Sequence, residues 1–262
     1  MVKSADRVIQ ILEAVGLARE GVTHGDLVSA LNIPKSSLSS LLSTLVDSQY
    51  LSLEKSSKRY ELGSQILVMA GRYLHGLDVV KLGQPLLREI TGVTDESSEI
   101  AIKRGHDIVI VCKEDSSRPV ARVIQIGDRA PMYATAAGKA ILAHLQEEET
   151  AKYFSSVDMA PLTKNTITDP IVLQKELKRI RSGALARSNE ELDEGVVALA
   201  APVFDFHGQV VASVVVPVPA MRFTKERQKD IERALRSGAM ELSHLLGWDS
   251  RAEKRMAGGK GK

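Results

Sequence analysis

Sulfur chemistry is nearly absent from this chain, since Cys112 is the one cysteine among 262 residues. An intramolecular disulfide is therefore excluded, and a thiol with no nearby ligand or redox partner reads as a buried apolar position. Aromatic residues make up only 4 %, which argues against a wide stacking pocket. No apolar run reaches the roughly 18 residues a membrane-spanning helix requires, and the N-terminus lacks a charged stretch leading into an apolar signal core. A cytoplasmic protein with no membrane partner is expected. An excess of charge of one sign is also missing. The formal net charge is +2, yet residues 249–262 alone carry five cations and two anions, leaving 30 cations against 31 anions elsewhere. Any affinity for a polyanion must come from local placement of charge.

Catalytic signatures are missing as well. Lys139 follows Gly138, but no glycine stands five residues before Gly138, so no phosphate-binding loop is present. The histidines at 24, 75, 106, 144, 207 and 244 are scattered without a pair at ligand spacing, and Glu241 and His244 have a metal-like spacing with no second set. Ser52 to Lys55 fits a Ser-x-x-Lys pattern only inside a hairpin. No catalytic residue, metal or cofactor is expected.

What the chain does have is a segment with two faces. Between Lys35 and Val46, residues Leu38, Leu41, Leu42, Leu45 and Val46 recur at i, i+3, i+4, i+7 and i+8, while Ser36, Ser39, Ser40 and Ser43 repeat that spacing on the opposite side. Serine is a mediocre helix former. A helix that exposes short hydroxyls in place of Glu, Lys or Ala fits a surface that must approach another polar body closely, as duplex DNA requires. Thr23 is placed to cap a preceding helix through Leu31, and Asn32-Ile33-Pro34 makes a tight turn with Pro34 at the first position of the next helix. Helix, short turn and helix is the helix-turn-helix arrangement. Its contact candidates are Thr23, Lys35, Ser36, Ser37, Ser39, Ser40 and Ser43. Residues 50–54 and 58–62 then alternate like a hairpin, with Lys55, Lys58 and Arg59 at or near its tip as a basic wing for phosphates. An earlier helix from about Ser4, with Ala5, Val8, Ile9, Leu12 and Val15 on one face, completes the three-helix core. Residues 1–62 are expected to form a winged helix-turn-helix domain.

Ser64 is placed to start a helix bearing Ile66, Leu67, Ala70, Tyr73, Leu74 and Leu77, which assigns 63–80 to a linker suited to dimerisation. From Lys81 to Trp248 the pattern becomes α+β. Residues 85–90 are helical, 99–103 and 107–113 form a hairpin, 120–126 add a strand, and 196–204 with 209–218 add two more around Asp205-Phe206-His207-Gly208. Helices are expected at 135–145, 147–154 and 169–182, the last with Pro170 in its first turn and Gly183 at its end. Helices on an antiparallel sheet define the class. Residues 249–262 read as a basic disordered tail. Within the second domain the loop Pro131 to Ala140 enters a helix with Thr135 as N-cap. The amides of Ala136 and Ala137, flanked by small side chains, would suit an anion.

Three motifs together resemble the IclR family of bacterial transcriptional regulators, over about Ser4 to Trp248. Ile33-Pro-Lys-Ser-Ser-Leu-Ser-Ser-Leu-Leu42 resembles its recognition helix. Ala134-Thr-Ala-Ala-Gly-Lys-Ala140 resembles its effector-domain signature, and Glu190-Glu-Leu-Asp-Glu-Gly195 followed by Ala200-Ala-Pro-Val-Phe-Asp205 resembles its second. The resemblance implies a winged helix head, a dimerising linker helix and a C-terminal domain similar to the GAF fold that binds a small metabolite, in homodimers or homotetramers on operator DNA. Carried over by position, effector contacts would fall on Thr135, Ala136, Ala137, Asn189, Ala198, Val215 and Pro217, with a small carboxylate as ligand. Family members that bind organic acids often have an acid where Asn189 stands, a cysteine near Ala198 and a serine where Pro217 stands, and an arginine is usual where Ser40 stands. The competing reading is a constitutive DNA-binding protein whose second domain only oligomerises.

Overall fold

The computed structural model describes residues 3–18, 20–75, 78–118 and 125–248. Two compact units divide the chain, 1–76 and 77–262. The first opens with α1 (Lys3–Leu17), which buries Ile11 and Val15. After the short strand β1 (Val22–Thr23), Thr23 caps α2 (His24–Leu31) through a capping box with Asp26. Asn32 ends that helix in the left-handed conformation at φ 50°, which asparagine tolerates better than most side chains. Helix α3 (Lys35–Asp47) follows and buries Leu38, Leu42 and Leu45. Pro34 occupies the N-cap and not the first helical position: its ψ of 134° is extended, and the helix begins one residue later. The left-handed turn at Asn32 redirects the chain first, so the proline ring ends up just outside the helix, where its carbonyl still accepts from the Leu38 amide at 2.9 Å.

These helices share one core of Ile11, Val15, Leu27, Ile33, Leu38, Leu42, Leu45 and Leu51. The wing is β2 (Leu51–Glu54) against β3 (Arg59–Leu62), antiparallel with Glu54 opposite Arg59. Strand β1 also pairs with β3, making a three-stranded sheet in the order β1-β3-β2. Gly63 then turns the chain into α4 (Ser64–His75). A Cβ at Gly63 would collide with the backbone of Gln49, whose neighbour Tyr50 accepts from the Gly63 amide at 2.9 Å.

The second unit starts with α5 (Asp78–Thr94), longer than the expected 85–90 because Pro85 lies inside it. Six strands among the described residues form one antiparallel sheet: β4 (Ser98–Arg104), β5 (Asp107–Glu114), β6 (Arg129–Pro131), β7 (Ala186–Asn189), β8 (Val196–Phe204) and β9 (Val210–Pro219), in the order β6-β5-β4-β9-β8-β7. The hairpins β4–β5 and β8–β9 fall where alternation placed them, whereas the short edge strands β6 and β7 had no pattern long enough to announce them. Of the strand expected at 120–126, residues 120–124 lie outside the described residues and 125–126 are not strand. A 3-10 turn (Met132–Ala134) leads into α6 (Ala136–Leu142), followed by α7 (Glu147–Ser156) and α8 (Pro170–Arg181), which Asp169 caps. The chain closes with α9 (Lys225–Leu245). Helices α5 and α9 pack together, and both pack on the sheet. Helix α6 packs on the sheet too, against β7, β8 and β9, and is buried along its whole length, which its composition of Ala, Gly, Lys, Ile and Leu permits because four of the seven side chains are a methyl or less.

Substituting Gly63→Ala is expected to lower the stability of the first unit by about 1–3 kcal/mol, the usual cost of forcing extra volume into packed backbone, read by urea denaturation. An unchanged midpoint would show that the turn relaxes freely.

Candidate functional site

Two sets of residues could carry function, one on each unit. On the first, Lys35, Ser36, Ser39, Ser40 and Ser43 lie exposed along α3, and Ser37 is half-buried beside them. Thr44 continues the exposed row and was not anticipated. The hydroxyls are ordered by the helix itself: Ser39 donates to the Lys35 carbonyl at 2.9 Å, Ser40 to Ser36 at 3.1 Å, Thr44 to Ser40 at 3.0 Å, and Ser43 to the Asp47 carboxylate at 3.4 Å. His24 Nε2 lies 3.0 Å from Ser39 Oγ. With the Ser39 proton directed to Lys35, the ring nitrogen is the donor in this contact. His24 is thus part of this surface, a role nothing in its sequence surroundings marks.

The wing tip presents Lys55 and Lys58, both exposed. Lys58 sits in the left-handed region at φ 53°, and the tip is tied by the Ser56 amide and hydroxyl, which donate to Glu54 at 3.1 and 2.9 Å and hold its carboxyl below the usual range. Two expected contact residues are engaged elsewhere. Arg59 is half-buried and donates to the Gly21 carbonyl at 2.8 Å, bracing the turn before β1. The Thr23 hydroxyl accepts from the Asp26 amide at 3.2 Å as the cap of α2. Both contribute to the first unit's build more directly than to its outer face.

On the second unit a cavity of about 520 Å³, its open mouth included, lies between α6 and the sheet. Of the predicted positions it gathers Thr135, Ala136, Ala137, Ala198, Val215 and Pro217. Thr135 accepts from the Gly138 amide at 3.0 Å and donates to the Pro131 carbonyl at 3.2 Å, which sets the entry of α6. Asn189 does not join them. Successive residues of a strand face opposite sides: Ser188 turns in and donates to the Ala134 carbonyl at 2.9 Å, so Asn189 turns out, where its side-chain oxygen accepts from Arg187 at 2.9 Å. Ile108, Ile110, Leu192, Asp193, Val196 and Glu99 also line the wall and were not anticipated. Glu99 had a signal, an acid inside the β-period Ser98-Glu-Ile-Ala-Ile.

Glu99 is 3 % exposed. Burial pushes its carboxyl from 4.5 up to about 7, against the opposing pull of Lys113 and with further elevation from Asp115 and Asp128. Further along α6, Lys139 is 1 % exposed and its Nζ donates to both Glu191 oxygens at 2.7 and 2.8 Å. Desolvation holds that ammonium below the ordinary lysine value while Glu191 opposes it. Glu191 also accepts from the Asn189 amide at 3.1 Å, so the loop between β7 and β8 is held against α6.

A winged helix-turn-helix unit joined to a second unit with a pocket between helix and sheet defines a two-domain transcription regulator. Residues 4–54 match the IclR helix-turn-helix domain, and residues 71–244 match the bacterial transcriptional regulator IclR C-terminal domain. The HTH-type transcriptional regulator KdgR of Escherichia coli (strain K12) is 30 % identical over 248 residues, covering 94 % of each chain, and the HTH-type transcriptional repressor AllR of Klebsiella pneumoniae is 27 % identical over 96 % of this chain and 92 % of its own. The crystal structure of the Thermotoga maritima IclR, 28 % identical, superposes with a TM-score of 0.81 over 95 % of this chain and all of that one. The chain belongs to the IclR family of bacterial transcriptional regulators, with a helix-turn-helix DNA-binding domain and a C-terminal effector-binding domain. These relatives are regulators, not enzymes. No described helix is long and apolar enough to cross a membrane.

Lys139→Ala leaves Glu191 charged and uncompensated in the interior and is expected to cost about 3–5 kcal/mol of effector-domain stability, measured by chemical denaturation; a loss below about 1 kcal/mol would mean that water reaches the site. Glu99 has the opposite linkage. Its folded-state pKa lies above its unfolded one, so the folded state binds the extra proton and stability falls as pH rises from about 4.5 to about 7, by a total on the order of 3 kcal/mol. Glu99→Gln is expected to flatten that part of the thermal-stability profile; an unaltered profile would place the titration elsewhere.

Proposed function

We propose that this protein is a ligand-responsive regulator that binds operator DNA as a dimer or tetramer, with α3 in the major groove, the wing on the phosphates, and affinity set by a small organic acid in the α6 pocket. The observation that carries the reading is the pocket. It is walled by the entry of α6 and by residues from all six described strands of the sheet, and it keeps a buried, ionisable Glu99 on its wall where an oligomerisation domain would bury only packed core. That favours ligand response over constitutive binding. On the first unit, supporting features are the exposed hydroxyl row of α3 and the two lysines of the wing tip.

Oligomerisation rests on α4, which leaves Leu67, Val68 and Met69 exposed, Leu67 by 76 %. A second copy of the helix is the natural cover for such a face. The side chains of Tyr73 and Leu74, and all of Leu77, which the same face was expected to include, lie outside the described residues. So does the basic segment 249–262. Domain limits of 1–62, 63–80 and 81–248 follow the functional division, although α4 clusters with the first unit.

In mechanism, an effector that binds one arrangement of the effector domain more tightly than another shifts the spacing of the paired heads, whose recognition helices must lie about 34 Å apart to enter successive grooves. A coupling of about 1–3 kcal/mol suffices for a 5- to 150-fold response.

The test is fluorescence anisotropy of the full chain on DNA from upstream of its own gene, titrated with salt and with small carboxylates. Lys58→Ala is expected to weaken binding on every sequence and to reduce the salt slope by about one. Ala137→Phe is expected to abolish the ligand response with DNA binding intact. A slope unchanged by Lys58→Ala would remove the wing from the interface, and a response that survives Ala137→Phe would move the effector site.

A further inference from the structure

Two acids, Glu99 and Asp193, line the effector cavity, and none of its described lining residues is a cation. The rest of that lining is predominantly aliphatic. Its hydroxyls are already committed, Thr135 to Pro131 and Ser188 to Ala134. Glu99 differs from both, because its carboxyl makes no hydrogen bond to a described residue. It projects from β4 on the same sheet face as Val215, its register partner on β9. On the other side it is opposite Lys113 of β5, whose ammonium is held by Asp115 at 2.6 Å. Asp115 and Asp128 add negative potential to its surroundings. Burying a carboxyl without a partner is costly, and a valine or leucine at this place would close the wall at no such cost. An acid kept there, unpaired and facing a cavity, has the chemistry of a hydrogen-bond acceptor waiting for a donor from outside the chain.

We infer that Glu99 is the specificity-determining residue of the effector cavity, and that it selects effectors carrying a hydroxyl or N–H donor over those that carry only an acid group and hydrocarbon. The inference rests on the reading of this cavity as the effector site. An ionised Glu99 raises the cost of a second carboxylate, so hydroxylated monocarboxylates are favoured over dicarboxylates of the same length. A donor that meets a buried charged acceptor gains affinity by about tenfold or more, since the acceptor is left unpaired by the analogue that lacks it.

Isothermal titration of the full chain at pH 8.5, where Glu99 is ionised, tests this with matched pairs: lactate against propionate, 3-hydroxybutyrate against butyrate, and 4-hydroxyphenylacetate against phenylacetate. The expected result is a preference of tenfold or more for the hydroxylated member of at least one pair. That preference should fall at least threefold in Glu99→Gln and vanish in Glu99→Leu, which should bind the plain acid as well as the wild type or better. The glutamine variant keeps the volume of the wall filled and decides the question should Glu99→Leu fail to fold. Binding of both members of every pair with equal affinity, or a preference that persists unchanged in Glu99→Gln and Glu99→Leu, overturns the role of Glu99 and leaves the cavity as the effector site. Binding of no probe at millimolar concentration overturns the organic-acid reading and this inference with it.

Discussion

The buried pair of Lys139 and Glu191 is the constraint on which the effector domain depends. Removing both charges from water costs several kcal/mol per ion, and attraction offsets that cost only when the geometry is good and the remaining lone pairs are used. Both conditions hold here: the ammonium bridges both carboxylate oxygens, and one of them also accepts the Asn189 amide. The two partners lie 52 residues apart, one in each of the two effector-domain motifs. Joined, they fix the loop that carries Leu192 and Asp193 over the start of α6. Thr163 and Thr166 reinforce the closure from a third segment by donating to the Glu190 and Glu191 carbonyls at 2.6 and 2.7 Å. Replacing the pair by hydrocarbon could match its stability, but hydrocarbon has no directional bond with which to set the height of that loop.

Around this clamp, smallness does the shaping. Ala136, Ala137, Gly138 and Ala140 let α6 lie deep against Ala198 and Ala200 of β8, and at Gly138 any side chain would meet the backbone of Met132. The effector cavity opens where the helix begins, because there the packing of helix on sheet gives way to the loop after β7. The pocket is the unfilled end of an otherwise continuous interface.

The sequence was most informative where one face of an element is apolar and the other is not. The leucine and serine rows of α3 gave the helix, its buried side and its outer side together, and the alternation of β4, β5, β8 and β9 gave the centre of the sheet. Edges were harder. Strands of two to four residues, β1, β6 and β7, contain too few periods to show one, and without β7 the inward turn of Ser188 and the outward turn of Asn189 could not be assigned. Position carried over by motif resemblance placed the α6 and β9 residues at the cavity but failed at Asn189, where a shift of one residue along a strand exchanges the two faces. Arg59 looked like a wing cation because spacing cannot tell a guanidinium turned outward from one that closes a turn 38 residues away. Glu99 was visible as an acid within a buried strand, yet its significance depends on the cavity beside it, which only three-dimensional packing reveals.

The hydroxyl row of α3 has a chemical polarity as well as a shape. Ser40 and Thr44 have each given their proton to a carbonyl four residues back, so what they turn outward is oxygen lone pairs, whereas Ser39 already accepts from His24. In a major groove the amino groups of adenine and cytosine meet those lone pairs directly, whereas the acceptor edge of guanine meets like against like until a proton is withdrawn from the helix. In the docking proposed for α3, the serine face would work as a polarity filter, one that ranks base edges by what they donate before any long side chain has reached them.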